Sequence, residues 1–352
     1  MNEPRIGSLF SGIGGLDIAA AEVFGGSVAW HVELAPAPSK VLDVRFPGVP
    51  NYGDITSVDW SKVEPVTILT TGFPCQDVSY SGLRKGLRPD TRSGLWTQAA
   101  YAISQLRPEL VIIENVSGLL SASTNSDPLD DLWGMGNGSP RPPLNAFGVV
   151  LRDLAGLGYN VEWGSVRADD AGAPHGRARV FVVAYSSRLA RRRHSGTASS
   201  RQAWTNESHE SGATYQSQAD RLRRSNQTPT NTSRTRLRES IGEQRQNGDQ
   251  VERFPAGVTE HDPRPNSIEW GEFETAIRRW ETVLGAPVPM PYKPDGKNGQ
   301  DRMSVGFVEW MMGYAPGYVD DIDISYNAKH RALGNSVCPQ QAALAIRELI
   351  GS

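Results

Sequence analysis

The sequence has 352 residues, 38% of them hydrophobic, and a formal net charge of −3, so it can build one large core and a smaller second domain. This charge excludes a uniformly basic nucleic-acid-binding protein, although local basic patches stay open. Two cysteines are too few for a disulfide framework, and no Cys/His spacing typical of a metal site occurs.

The chain carries no targeting signal that we recognise. Its first residues lead directly into a predicted strand and lack the basic and apolar regions of a signal peptide. No apolar run reaches the length that crosses a membrane, and few cysteines suit a reducing compartment. We therefore expect a soluble intracellular protein with no membrane partner.

The N-terminal part predicts a strand, a glycine-rich turn and a helix. Residues 5–10 form a short strand, the sequence SGIGG follows at 11–15, and residues 16–24 have apolar side chains at helical spacing. This layout brings backbone N–H groups and a helix N-terminus close to a ligand. Plain tight connections use the same residues, so both interpretations stay open.

Two acidic residues follow the next extended segments. Glu33 ends a second strand over residues 27–32, and Asp54 precedes Ile55 at the end of a third segment. A carboxylate after the second strand of such a fold is placed to accept hydrogen bonds from ribose hydroxyls. Solvated glutamates at strand ends are also common, so these positions are supporting evidence only.

Cys75 follows an apolar β-branched run at residues 66–70, where Gly72 and Pro74 end the strand. The turn would hold the thiol at the carboxyl end of a sheet, where α/β enzymes keep their chemistry. A thiol attacks as the thiolate. A lone cysteine is more often a buried structural residue, and only the position after a strand favours a nucleophile. The basic, glycine-rich segment 81–90 predicts an exposed loop.

Glu114 follows a second buried run. A predicted helix at residues 95–106 precedes the apolar residues 110–113, which lead into the sequence ENV at 114–116. In a parallel sheet, Cys75 and Glu114 would open onto the same edge. A carboxyl group beside a low-dielectric wall can act as an acid, and the alternative is a solvated glutamate before a helix.

Two arginines lie between two further predicted strands, at residues 159–166 and 179–184. If the chain is extended there, Arg177 and Arg179 point to one face. Paired guanidinium groups suit a phosphate or a planar base that carries a carbonyl group. The alternative is a solvated basic strand end.

The composition changes at residue 186. Residues 186–265 hold fourteen arginines, nine acidic residues and no lysine, and they offer little apolar surface to bury. This composition predicts either partial disorder in the free protein or a basic segment that follows phosphates. Helical patterns return at residues 268–284 and 304–312, and Pro339 begins a last predicted helix.

The order of the motifs resembles the DNA cytosine-5 methyltransferase family, especially its phage and bacterial members. The resemblance is carried by FSGIGG at 10–15, PCQ at 74–76, ENV at 114–116, RAR at 177–179 and GNSV at 334–337. Each motif is weak by itself, whereas five in this order are specific.

The resemblance implies a doubly wound α/β sheet, Rossmann-like and typical of S-adenosylmethionine-dependent methyltransferases, with a smaller, irregular target-recognition domain. We expect the catalytic domain to comprise residues 1–185 and 320–352. The target-recognition domain would comprise residues 186–319, with the arginine-rich stretch 186–265 inside it. The last helix must then pack back onto the N-terminal part.

The implied reaction transfers a methyl group from S-adenosylmethionine to C5 of a cytosine flipped out of duplex DNA, leaves S-adenosylhomocysteine and needs no metal. Cys75 would add to C6, Glu114 would hold a proton at N3, and Arg179 would bind the O2 carbonyl. Arg177 would brace a phosphate or the active-site loop. The segment 79–88 is the candidate lid over the base.

The resemblance also assigns the cofactor pocket. Phe10 would stack on adenine, Glu33 would bind the ribose hydroxyls, and Asp54 would meet the adenine edge. The full set of assigned residues is Phe10, Gly12, Ile13, Gly14, Glu33, Asp54, Ile55, Pro74, Leu95, Asn335, Ser336 and Val337. His175 departs from the family, which usually has glutamine there, and the loop 121–143 is longer than a minimal member needs.

Other functions stay open. A tRNA cytosine-5 methyltransferase would share the motifs, but the arginine-rich segment favours duplex DNA. A catalytically silent DNA-binding protein would be expected to lack Cys75 or Glu114, and an enzyme for free pyrimidine nucleotides would have no use for the basic segment. We expect a modification enzyme of a restriction system, phage or prophage, with a possible cognate restriction endonuclease that is not physically required. It would be a monomer in the cytoplasm, associated with the nucleoid.

Overall fold

The computed structural model describes residues 3–74, 94–121, 145–189, 268–296 and 299–351. The described residues up to 189 and from 270 onward belong to one compact unit. Their strands are β1 (Arg5–Leu9), β2 (Ser27–Val32), β3 (Ile68–Thr71), β4 (Leu110–Val116), β5 (Tyr159–Arg167), β6 (Ala178–Ser186), β7 (Tyr292–Lys293) and β8 (Arg302–Met303). Their α-helices are α1 (Gly15–Phe24), α2 (Pro36–Arg45), α3 (Leu95–Leu106), α4 (Ala146–Gly156), α5 (Glu274–Leu284), α6 (Val305–Met311), α7 (Tyr326–Asn335) and α8 (Pro339–Gly351).

Six of these strands form one sheet in the order β2-β1-β3-β4-β6-β5. The strands from β2 to β4 pair in parallel, and β6 runs antiparallel to both of its neighbours. The short strands β7 and β8 form a separate antiparallel pair. Because β3 and β4 are parallel, their carboxyl ends lie at one edge, as the sequence predicts.

Alternate side chains of the central strands pack into different layers. Leu69 and Val111 belong to a buried cluster with residues of α3 and α4, whereas Ile68 and Ile112 belong to a cluster with residues of α1 and α8. Burial on both faces explains the continuous apolar sequence of β4, since each such side chain contributes about 1.5–3 kcal/mol. The predicted doubly wound α/β fold is confirmed.

The C-terminal helix returns to the N-terminal part. Ala342 and Ile346 of α8 share a buried cluster with Leu16 of α1, and Arg347 Nη2 lies 2.7 Å from Glu22 Oε1. This packing confirms the expected position of the last helix. It also brings residues 334–337, just before α8, close to the glycine-rich turn before α1.

The structure corrects one strand boundary near the predicted site. The apolar run of β4 ends at residue 113, but the strand continues to Val116. Antiparallel pairing explains the extension, since Glu114 is opposite Phe181 and Val116 is opposite Arg179 on β6. Glu114 therefore lies inside β4 and not beyond its end.

Several predictions concern residues outside the described ranges. They include the candidate lid at 79–88 and nearly all of the segments 121–143 and 186–265. The domain boundaries stay predictions. Within the described ranges, we find no helix with the length and apolar character needed to cross a membrane.

Candidate active site

A pocket lies at the carboxyl edge of β1, β3 and β4. It brings together residues that are far apart in the sequence, from the glycine-rich turn, the end of β3, β4 and the segment before α8. The predicted site residues in its lining are Phe10, Gly12, Ile13, Glu114, Asn335, Ser336 and Val337. The fold thus joins three of the five motifs at one place.

Glu114 and Arg179 form a buried ion pair in this pocket. Arg179 Nε lies 2.9 Å from Glu114 Oε1, and their side chains are 16% and 10% exposed. Burial raises the pKa of Glu114, an effect opposed by the positive charges of Arg179 and Arg177. A carboxyl group with a raised pKa can hold a proton near neutral pH more readily than an exposed glutamate.

The chain that leads to Cys75 runs beside Glu114. A side chain built at Gly72 would come within 3.6 Å of Glu114 Oε2. The side-chain amide of Asn115, itself 5% exposed, donates a 2.8 Å hydrogen bond to the carbonyl of Phe73. Cys75 lies just outside the described residues, which end here at Pro74. Asn115 therefore fixes the backbone two residues before the candidate nucleophile.

The glycine-rich turn has an unusual backbone. Phe10, Gly12 and Gly14 have φ angles of 52°, 56° and 84°, a left-handed region that is costly for a phenylalanine and free for glycine. Strain of this kind is concentrated at functional sites. Glu33 fixes the turn from β2, since its carboxylate accepts 2.8 Å hydrogen bonds from the backbone N–H of Gly12 and of Ala35.

The family model described as C-5 cytosine-specific DNA methylase matches residues 5–351. The chain belongs to this family.

Curated relatives match the chain over part of their length. Type II methyltransferase M.NlaIV of Neisseria lactamica is 33% identical over 151 residues, which are 43% of this chain and 33% of that protein. A DNA N-6-adenine-methyltransferase of Escherichia phage P1 is 40% identical over 169 residues, 44% of this chain and 20% of that protein. The chain therefore spans about a third or less of these curated relatives.

A solved structure extends the likeness to the whole chain. The crystal structure of the S. pombe Dnmt2 methyltransferase matches this chain with a TM-score of 0.52, 17% identity and 99% coverage of both chains. This match shows a shared fold.

Arg177 supports the C-terminal motif. Its guanidinium group donates 2.7 and 2.8 Å hydrogen bonds to the carbonyls of Gly334 and Ser336. Burial lowers the pKa of Arg177, and neighbouring Arg179 acts in the same direction. In this structure Arg177 thus holds one wall of the pocket, and its predicted role at a phosphate or the active-site loop stays a prediction.

His175, which replaces the usual glutamine of the family, contacts the region after β6. Its Nε2 lies 3.0 Å from the carbonyl oxygen of Met311 on α6. Burial lowers the pKa of His175, which favours the neutral ring. The neutral ring can meet this carbonyl as an N–H donor, as a glutamine amide would.

Other predicted cofactor residues lie around the pocket and not in its lining. Burial raises the pKa of Glu33, whose oxygens meet backbone N–H groups. The Asp54 carboxylate accepts from the backbone N–H and hydroxyl of Thr56 at 2.9 and 2.8 Å, and Ile55 lines a neighbouring groove. Leu95 begins α3 and packs on the adjacent core.

A buried polar group in the pocket lining was missed by sequence reasoning. Asp17 in the first turn of α1 is 1% exposed, and Thr70 Oγ1 donates to its Oδ1 over 2.5 Å. His31 Nε2 lies 3.5 Å from its Oδ2. The available signal was a charged residue among apolar neighbours at the start of α1, directly after the glycine-rich turn.

Proposed function

We propose that this chain methylates C5 of cytosine in a specific sequence of duplex DNA, with S-adenosylmethionine as the methyl donor. The observation that carries the proposal is the buried Glu114–Arg179 pair, 2.9 Å apart, beside the chain segment that leads to Cys75. We infer that this acid and this cation would meet the charge that a base attacked by the thiol develops.

The residues around the pocket support this cofactor. A Cβ atom at Gly15 would lie 2.5 Å from the carbonyl oxygen of Val337, so a glycine at this position lets the turn pack directly on the C-terminal motif. The Thr71 hydroxyl lines the pocket without a hydrogen-bond partner among the described residues and can serve a polar ligand, whereas Glu33 would bind the ribose hydroxyls by exchanging its bonds to Gly12 and Ala35. When bound there, S-adenosylmethionine supplies an electrophilic methyl group.

The chain's own residues activate the base. Cytosine C5 is a poor nucleophile, and addition of the Cys75 thiolate to C6 moves electron density to C5. Glu114 holds a proton at N3, which neutralises the negative charge that develops on the ring. Arg179 binds the O2 carbonyl, and Arg177 keeps the pocket wall in place. Removal of the C5 proton and loss of the thiolate then restore the aromatic ring.

The cytosine must reach this pocket flipped out of the helix. In a stacked duplex, the neighbouring base pairs cover both faces of the ring and block attack of the thiolate at C6. We assign target recognition to residues 186–319, where the arginine-rich stretch 186–265 would follow the phosphates. The enzyme would act as a monomer in the cytoplasm, and no cognate endonuclease is required for the transfer itself.

The test is incubation of the purified chain with methyl-labelled S-adenosylmethionine and either plasmid DNA or tRNA. Digestion to nucleosides and mass spectrometry then identify the methylated base. We expect 5-methylcytosine in DNA, and bisulfite sequencing should place it in one short recurring context.

Each other outcome contradicts the proposal in a defined way. Methylation of tRNA alone would favour a tRNA cytosine-5 methyltransferase. N6-methyladenine in DNA would match the activity for which the phage P1 relative is named. Absence of any labelled product, with DNA binding retained, would favour a silent DNA-binding protein.

A further inference from the structure

The turn between α6 and α7 is held rigidly from two sides. Glu309 on α6, which is 0% exposed, accepts hydrogen bonds from the backbone N–H groups of Gly317, Val319 and Asp320. Arg45 on α2 donates to the carbonyls of Gly317 and Tyr318. Such a turn cannot move freely, because its backbone groups are already fixed by charged partners.

Two tyrosines of this turn reach two different segments of the pocket lining. Tyr314 donates its hydroxyl to the carbonyl of Val337 over 2.8 Å, and Tyr318 donates to the carbonyl of Ile13 over 2.7 Å. Ile13 belongs to the glycine-rich turn and Val337 to the C-terminal motif, and both line the pocket. The two rings also pack together, with centroids 4.8 Å apart.

The residues around the Tyr314 hydroxyl are closely packed. A Cβ atom at Gly15 would lie 2.3 Å from the Tyr314 hydroxyl, so α1, the C-terminal motif and the tyrosine meet closely. Burial raises the pKa of Tyr314 and of Tyr318 above their usual range, so both hydroxyls are protonated donors at neutral pH.

We propose that Tyr314 and Tyr318 are positioning residues that set the distance between the two walls of the cofactor pocket. The inference rests on the proposed function, since it takes the ligand to be S-adenosylmethionine. Loss of either hydroxyl leaves one wall with fewer contacts, those of Glu33 at the turn or of Arg177 at the C-terminal motif, and the ligand must order that wall further when it binds. The cost falls on cofactor affinity and not on the chemical step.

The matched control is Tyr159, at the opposite end of the sheet. Its hydroxyl donates to the carbonyl of Pro108 over 2.7 Å and is buried, so Tyr159→Phe removes the same kind of bond far from the pocket. Any effect shared by all three variants is therefore a general loss of stability.

The experiment compares wild type with Tyr314→Phe, Tyr318→Phe and Tyr159→Phe. Isothermal titration calorimetry measures the Kd for S-adenosylmethionine, and kinetics at saturating DNA give KM and kcat. We expect the Kd and KM to rise about fivefold in each of the first two variants, the effect of one lost hydrogen bond. Their kcat should stay at the wild-type value, and Tyr159→Phe should keep the wild-type Kd.

The outcomes separate this inference from the proposed function. Wild-type protein that does not bind S-adenosylmethionine would overturn the proposed function. If wild type binds but both pocket variants keep its Kd while losing as much thermal stability as Tyr159→Phe, the tyrosines are only structural and the inference is wrong. A lower kcat at unchanged KM would also contradict it. If Tyr314→Phe does not fold, the half-buried Tyr318 decides alone.

Discussion

The two ends of the central sheet handle their polar groups differently. At the amino end, backbone carbonyls take up the side-chain donors: Tyr159 donates to Pro108 and Arg107 Nη1 donates to Leu157. At the carboxyl end, Tyr314 and Tyr318 also donate to backbone carbonyls, but Glu114 meets a cation, and among the described residues the Thr71 hydroxyl has no hydrogen-bond partner.

This difference shows which end of the sheet has polar groups that are available to bind a ligand. Polar groups that are already satisfied by the backbone add stability and have little left to offer a substrate. A buried acid with a raised pKa and a hydroxyl without a partner face the pocket instead. Variants at the two ends should therefore separate activity from stability.

The largest effect is expected for Cys75, which the sequence places after the carboxyl end of β3. Cys75→Ala should lower kcat by at least ~10³-fold, because the nucleophile is gone. Radiolabel transfer to DNA measures this loss. The control is Cys338→Ala, since Cys338 is buried and burial raises the pKa of its thiol to about 11. Appreciable methylation by the Cys75→Ala variant would contradict the assignment.

Glu114 and Glu309 allow a sharper comparison of two buried carboxylates. Glu114→Gln should lower kcat by ~10²–10⁴-fold, the usual contribution of a general acid, while cofactor binding is kept. Glu309 accepts three backbone N–H groups, so Glu309→Gln should lower the free energy of unfolding by about 1–3 kcal/mol and spare kcat.

Steady-state kinetics and urea unfolding of both glutamine variants measure this contrast. Loss of cofactor binding in Glu114→Gln would show that Glu114 is misplaced in our account. A large loss of kcat in Glu309→Gln would contradict our assignment of a catalytic role to Glu114 and a structural role to Glu309.

The pH dependence of kcat should report on Glu114. Burial raises its pKa in the folded protein, so the protonated form is fully present below the ordinary value and is lost as the pH rises through the raised one. If the protonated carboxyl group of Glu114 holds the proton at N3, kcat should fall as the pH rises through this raised pKa. The Glu114→Gln variant should lose that limb of the profile, and an unchanged profile in the variant would assign the limb to another group.

The smallest effect is expected at the amino end. Arg5 Nε lies 2.7 Å from Glu64 Oε1 in an ion pair whose side chains are 39% and 48% exposed. Because water and salt screen such pairs, Arg5→Ala should lower the free energy of unfolding by less than about 1 kcal/mol and leave kcat unchanged. Thermal unfolding with a parallel activity assay tests this, and a marked loss of activity would contradict the division between the two ends.

Much of the site follows from local sequence patterns. The apolar runs before Cys75 and Glu114 predict two buried strands, and parallel pairing of β3 and β4 confirms their common edge. The sequence FSGIGG predicts the turn before α1. These features depend on neighbouring residues, so a single sequence reveals them.

Features that depend on distant contacts were not predictable. Tyr318 donates to the carbonyl of Ile13, which lies 305 positions away in the sequence. Glu309 accepts hydrogen bonds from backbone N–H groups, and every residue type except proline has such a group, so no sequence pattern marks the partners. The extension of β4 through Glu114 depends on its antiparallel partner β6. Hydrophobic periodicity predicts which side chains are buried, but it does not predict which backbone carbonyl accepts a hydrogen bond from a given hydroxyl.

The most direct test of the central claim uses duplex DNA with 5-fluorocytosine at the target position, incubated with S-adenosylmethionine. After methyl transfer, C5 carries fluorine and methyl and has no proton to lose, so Cys75 cannot leave. Intact-mass spectrometry should show a covalent protein–DNA adduct in wild type, and none in Cys75→Ala. If the same preparation methylates unmodified DNA but forms no adduct with the fluorinated duplex, the covalent mechanism proposed here is wrong.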